Sequence, residues 1–322
     1  MKPLSLAAAT MAILCVLVPT SPKGHGMASD AGARMQDKRR GPFAPLPPQA
    51  ALGANGLARV ALGKTLFHDA RLSGDARRSC ASCHDMRTNG ASAVARDRSP
   101  DGAPLDLNTP SVFNAGHNFR LNWAGDIQGF QAQARASIEN PRIMDNTLPE
   151  VARRLRRDPA LVARFRAVFG RPPAPDDILQ ALSDYQASLT TPGARFDHWL
   201  NGQSDALSAQ ELRGYQVFQS AGCAACHQGV NLGGNLYQKA GVFHPLVRDG
   251  SPVLRVPSLR NVAETAPYFH DGSAATLDQA VQAMGKSQLN RVLTPSEVAQ
   301  ITAFLRSLTG EYEGKPVRAK RP

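Results

Sequence analysis

Apolar and polar positions along this chain recur mostly with the period of a helix. The clearest run lies near the C-terminus, where Val298, Ile301, Phe304, Leu305 and Leu308 share one side of a helix. Thr294-Pro-Ser-Glu297 opens that helix and Gly310 stops it. A cap threonine accepts from the N–H three residues on, while the glutamate there reaches back to the cap's own N–H. Pro295 takes the first helical position, where a missing N–H costs nothing. Ser208-Ala-Gln-Glu211 and Thr276-Leu-Asp-Gln279 repeat the arrangement, and Leu277, Val281 and Met284 follow the second at helical spacing. Residues 149–169 and 175–189 also read as helical. No segment alternates convincingly as a strand. The pattern predicts a mainly α protein with long connecting loops.

A weak repeat lies within this pattern. Leu62-Gly-Lys-Thr-Leu-Phe67 precedes Cys80-Ala-Ser-Cys83-His84, and Arg213-Gly-Tyr-Gln-Val-Phe218 precedes Cys223-Ala-Ala-Cys226-His227. Each unit is a short amphipathic helix followed by a turn holding Cys-x-x-Cys-His. That spacing is the attachment signal for c-type haem: two thiols form thioethers with the vinyl groups, and the next histidine faces the iron. Zinc knuckles and tight redox-active disulfides are the competing readings. The histidine after both pairs favours two covalently bound haems in two cytochrome c-like domains.

Lys2 and the apolar run over 4–18 are too short for a membrane span, which takes about 20 residues. They predict a cleaved signal peptide over 1–28, ending near Ala28 or after Ala31-Gly32-Ala33. Cys15 lies inside it, so the other four of the five cysteines all belong to the two motifs. Export to the periplasm agrees with the motifs, because haem is attached to them outside the bacterial cytoplasm. Residues 29–50 read as a flexible lead-in and 51–191 as the first haem domain. A linker over 192–207, a second haem domain over 208–312 and a basic, frayed tail over 313–322 follow. The net charge of +11 suits an acidic redox partner. Nucleic acid is not an expected partner for an exported haem protein.

With the haem motifs placed, their surroundings resemble the bacterial di-haem cytochrome c peroxidases. The resemblance is carried by Leu62-Gly-Lys-Thr-Leu-Phe-His-Asp-Ala-Arg-Leu-Ser73, Asn108-Thr-Pro-Ser-Val-Phe-Asn114 and Phe196-Asp-His-Trp-Leu-Asn-Gly202. Val256-Pro-Ser-Leu-Arg-Asn-Val262, Thr265-Ala-Pro-Tyr-Phe-His-Asp-Gly272 and Gln288-Leu-Asn290 extend it, so that it covers residues 51–312. The same superfamily includes the methylamine-utilisation enzyme that matures a tryptophan-derived quinone.

The resemblance implies that the haem on Cys223, Cys226 and His227 admits electrons, with Met284 as its second axial ligand. Helical spacing alone reads Met284 as core. The haem on Cys80, Cys83 and His84 would react with hydrogen peroxide. Many relatives carry a distal histidine in the loop after this motif, but residues 85–107 contain none, and Met86 is too close to the proximal ligand to swing over. This resembles the branch that needs no reductive activation. Trp123 matches a tryptophan between the haems. Asn108, Thr265 and Pro267 match oxygen ligands of an interdomain calcium ion, a cation suited to such donors. The implied partners are hydrogen peroxide and a small cytochrome c or cupredoxin donor, and a homodimer is compatible with the family.

One position departs from the pattern. Gln133 matches a distal glutamine, but Ile143 stands where the family places its proton-transferring glutamate. Glu139 and Asp145 are the nearby substitutes, though surface exposure is the commoner fate of such residues. Losing a general acid/base costs about 10²–10⁴ in rate. Three functions compete: a peroxidase, a peroxide-driven oxidase that modifies a partner protein, and an electron carrier without catalysis. The quinone-forming relative has a tyrosine where Met284 stands, which favours the first reading over the second.

Overall fold

The computed structural model describes residues 41–246 and 252–319. The signal peptide, Cys15 and most of the lead-in lie outside them. In chain order the helices are α1 (Ala54–Phe67), α2 (Cys80–Cys83), α3 (Phe130–Glu139), α4 (Leu148–Leu155) and α5 (Pro159–Phe169). Then follow α6 (Pro175–Ser188), α7 (Arg195–Leu200), α8 (Ala209–Ser220), α9 (Leu277–Leu289) and α10 (Pro295–Arg306). Two small antiparallel ladders accompany them: β1 (Tyr237–Lys239) with β2 (Val253–Arg255), and β3 (Glu311–Tyr312) with β4 (Lys315–Pro316). The fold is mainly α, as the periodicity predicts. The three capping boxes form at Ser208, Thr276 and Thr294. The helical stretch over 149–169 divides in two, because Asp158 accepts from the N–H groups of Ala160 and Leu161 and starts a new helix at Pro159.

Two hydrophobic cores organise the chain. The first gathers Leu62, Leu66, Phe67, Leu155, Phe165, Ile178 and Tyr185. The second gathers Phe196, Trp199, Tyr215, Phe218, Ile301 and Phe304. Each is built on one close helix crossing, α1 on α6 and α8 on α10. The crossings are made by the repeated glycines. A Cβ on Gly63 would stand 1.9 Å from the carbonyl oxygen of Ala181, and one on Gly214 would stand 1.9 Å from that of Gln300. No residue with a side chain fits at either contact.

Three expectations about the connecting segments change. The 192–207 stretch contains α7, whose Phe196 and Leu200 are fully buried in the second core. Phe43, in the expected lead-in, is 3% exposed and packs against Phe196, Tyr215 and Phe218. Val317 is 2% exposed, and β3–β4 fold the expected tail back onto the first core. In each case isolated aromatic or branched apolar residues within a polar stretch supply the anchor. Among the described residues no helix is long and apolar enough to cross a membrane.

Candidate haem sites

The two Cys-x-x-Cys-His turns have the same local construction. Cys80–Cys83 forms one helical turn, capped by reciprocal bonds between Ser79 and Ser82, and the N–H of His84 donates to the carbonyl of Cys80 at 3.0 Å. Cys223–Ala225 forms a 3₁₀ turn entered through Gly222 at φ +96°, and the N–H of His227 donates to the carbonyl of Cys223 at 3.0 Å. None of the four thiols is in a disulfide. Burial pushes the Cys80 thiol up to about 12 and those of Cys83 and Cys223 to about 11. Among the described residues no cluster of three or more His, Cys, Asp or Glu side chains could hold a metal, so the two motifs do not converge on one zinc site.

The histidines are oriented identically. Nδ1 of His84 lies 3.1 Å from the carbonyl oxygen of Gly90, and Nδ1 of His227 lies 3.2 Å from that of Leu232. A carbonyl can only accept, so each Nδ1 carries the proton and each Nε2 keeps its lone pair for a metal. Phe67 and Phe218 flank the rings at centroid distances of 6.3 and 6.4 Å. Loss of water contact holds His84 below the ordinary imidazole range and His227 at about 4. Burial thus favours the neutral form of both rings, the form that ligates iron.

The turns that supply those carbonyls are also repeated. Ser111 Oγ donates to the carbonyl of Asn89 at 2.6 Å, and Ser258 Oγ donates to that of Asn231 at 2.9 Å. Each serine belongs to a Pro-Ser-x-x-Asn segment, 110–114 and 257–261, whose proline carbonyl also faces the histidine. This second repeat was missed in the sequence, although two Pro-Ser-x-x-Asn segments were visible there.

The residues present fit a haem. A mainly apolar cavity is lined by Cys223, Cys226 and His227 together with Leu277, Ala280, Val281 and Met284 of α9. Met284 thus shares a cavity with the C-terminal histidine. Beside the N-terminal motif, Nη1 of Arg78 is buried with no hydrogen-bond partner among the described residues, while its Nη2 lies 3.8 Å from Asp75. A buried, unpaired guanidinium nitrogen is a donor suited to an acidic group at the rim of that site.

Trp123, Asn108, Thr265 and Pro267 line the same cavity, which brings four of the expected site residues together. Trp123 Nε1 donates to the carbonyl of Asn108 at 2.8 Å, and its ring meets His270 edge-on at 6.2 Å. Nδ2 of Asn108 donates to the carbonyls of Val94 and Ala95, both at 3.1 Å. Its Oδ1 is the atom left to ligate a cation. Asn89 Nδ2 donates to the carbonyl of Glu264 at 2.5 Å and fastens the two halves next to Thr265.

The expected distal group is less assembled. Gln133 is half-buried on α3, and its Nε2 donates to Ser137 Oγ at 2.8 Å. Ile143 is 38% exposed on the turn after α3. That turn is clipped to the 85–107 loop by Arg142, which donates to Asp106 at 2.6 Å and to the carbonyl of Pro104 at 2.8 Å. Glu139 is exposed and pairs with Arg135 at 3.4 Å, and Asp145 is exposed as well. Both take the surface role that residue statistics favour. Met86 is buried in the first core.

Comparison with known proteins agrees with this geometry. Residues 57–205 match the family model for di-haem cytochrome c peroxidase, and residues 212–309 match that for cytochrome c. The chain is 38% identical to cytochrome c551 peroxidase of Nitrosomonas europaea, over 83% of this chain and 84% of that one. It is 32% identical to the methylamine utilization protein MauG of Methylorubrum extorquens, over 79% and 78%. Its fold resembles the crystal structure of a MauG-like protein associated with microbial copper homeostasis, with a TM-score of 0.72 and 26% identity. That match covers 84% of this chain and 93% of that one.

Proposed function

Because this chain belongs to the di-haem cytochrome c peroxidase family, we propose that it is a periplasmic peroxidase. It reduces hydrogen peroxide to water with electrons from a small cytochrome c or cupredoxin. The observation that carries this reading is the duplicated histidine site, with Nδ1 of His84 and His227 each tied to a carbonyl, so that Nε2 is the unprotonated nitrogen of each ring.

Cys80 and Cys83 would hold one haem and Cys223 and Cys226 the other, each through two thioethers, with His84 and His227 as proximal ligands. When bound, the haems supply the one-electron redox steps and the position at which peroxide binds. Met284, which lines the same cavity as His227, would supply the second ligand at the C-terminal site. A thioether favours ferrous iron, so Met284 would raise the potential of that haem and suit it to accepting the donor's electron. Trp123, which matches the family tryptophan, would stand between the two haems. Asn108, Thr265 and Pro267 would hold calcium through oxygen atoms, and the ion would help to keep the Trp123 segment in register with the second half.

At the N-terminal site Gln133 can donate a hydrogen bond through its amide but cannot shuttle a proton. Ile143 cannot do either. Proton transfer there would depend on water, and turnover is slow for the family. A second reading, oxidation of residues on a partner protein, draws on the similarity to MauG. Met284, standing where the quinone-forming enzyme has tyrosine, argues against it.

The test is steady-state peroxide consumption with a reduced cytochrome c donor, with and without prior reduction of the enzyme. The proposal expects slow turnover that prior reduction does not increase, since the 85–107 loop has no histidine to displace. No turnover in either state, with both haems present, identifies an electron carrier instead.

A further inference from the structure

Arg255 is the residue that the account above leaves unused. It ends β2 and lines the cavity shared by His227, Met284 and Trp123. It is only 6% exposed. Nε donates to the carbonyl of Asn122 at 3.1 Å and Nη1 donates to that of Val256 at 3.3 Å. It makes no ion pair among the described residues. The contrast is Arg260, buried in the same half, which is matched by Asp197 at 2.7 and 2.9 Å. A buried guanidinium held only by carbonyl dipoles is costly, and proteins pair such charges. Burial lowers Arg255 from its ordinary value, with the Tyr237 hydroxyl acting weakly against that.

We propose that Arg255 is the anion-binding residue of the C-terminal haem site, where it pairs with a haem propionate. This rests on the haem assignment above, which a two-haem mass checks separately. A carboxylate is the ligand chemistry that matches a planar, multiply donating guanidinium. Arg255 lines the same cavity as the cysteine and histidine ligands, so one ligand can reach all three.

The pairing gives Arg255 a second role as a positioning residue for Trp123. The Arg255 N–H donates to the carbonyl of Trp123 at 3.0 Å, while its side chain holds the carbonyl of the preceding residue. A propionate bound to this arginine therefore fixes the haem edge relative to the backbone that carries the indole. The connection runs through two hydrogen bonds and one ion pair, without a loop in between.

The test uses the mature two-haem protein and three variants, Arg255→Met, Arg255→Gln and Arg255→Lys. Resonance Raman reads the propionate bending band of the C-terminal haem, and redox titration reads its midpoint potential. Arg255→Met removes the cation that offsets the propionate's charge. The propionate band should shift, and the potential should fall because ferric iron is favoured beside an uncompensated negative charge. Arg255→Lys restores the charge and should return both values toward wild type. If Arg255→Met does not accumulate with two haems, Arg255→Gln serves in its place. Band and potential both unchanged in a two-haem Met or Gln variant overturn the proposal, as does a change that Arg255→Lys fails to reverse. An arginine paired with a free anion gives the first of those results.

Discussion

Asn114 and Asn261 donate their side-chain amides to one hydroxyl, Thr191 Oγ1, at 2.7 and 2.9 Å. Both asparagines adopt positive φ, +58° and +60°, and each caps a 3₁₀ turn. They are equivalent positions of the two Pro-Ser-x-x-Asn segments, so the duplicated halves meet on this hydroxyl. Thr191 is 1% exposed, and its N–H donates back to Asn114 Oδ1 at 2.9 Å. Thr191→Val keeps the shape and leaves two buried amides without their acceptor. An unsatisfied buried donor costs about 1–3 kcal/mol. Denaturant titration should show a loss of about 2 kcal/mol or more, with the haem spectra of the folded protein unchanged.

The helix crossings at Gly63 and Gly214 make a second prediction. A single methyl at either position collides with a backbone carbonyl, which no rotamer change relieves. Gly63→Ala and Gly214→Ala should each destabilise by about 3 kcal/mol, the upper part of the range for overpacked cores. Each should also disturb the nearer haem, since Phe67 and Phe218 lie one turn further along the same helices. Thermal melts followed at the two haem absorption bands check this.

The helices, their caps and both haem turns were legible because each is written locally. A capping box spans four residues, and a haem turn spans five. The Gly–Phe repeat was legible as a pattern, but its purpose was not. Only the structure shows that Gly63 meets Ala181 and Gly214 meets Gln300. The same holds for Arg255, whose lack of a counter-ion among the described residues depends on what surrounds it in space. The segments around Phe43, Phe196 and Val317 read as lead-in, linker and tail because polar composition outweighed one or two anchoring residues. Tertiary contacts decide such segments, and composition does not record them.

Ile143 sets the expected rate. Ile143→Glu installs the missing carboxylate on an exposed turn beside α3, so desolvation costs it little. Peroxide turnover should rise, by up to about 10²-fold if the new group acts as the general base. Stopped-flow peroxide consumption reads this. A slower variant would place proton transfer on another group, with Glu139 and Asp145 the first to substitute.

Met284→Ala should lower the potential of the C-terminal haem and abolish the weak sulfur-to-iron absorption band of its ferric form. The N-terminal haem should keep its spectrum. If both properties survive, Met284 only packs the α9 face with Leu277 and Val281.

The central claim is that each Cys-x-x-Cys-His turn carries its own covalent haem, and intact mass spectrometry of the mature protein tests it most directly. The account predicts a mass above that of the processed polypeptide by two haem groups. It also predicts that Cys80→Ser with Cys83→Ser removes one of them, and that Cys223→Ser with Cys226→Ser removes the other. A mass gain of one haem or none in the wild-type protein would contradict it.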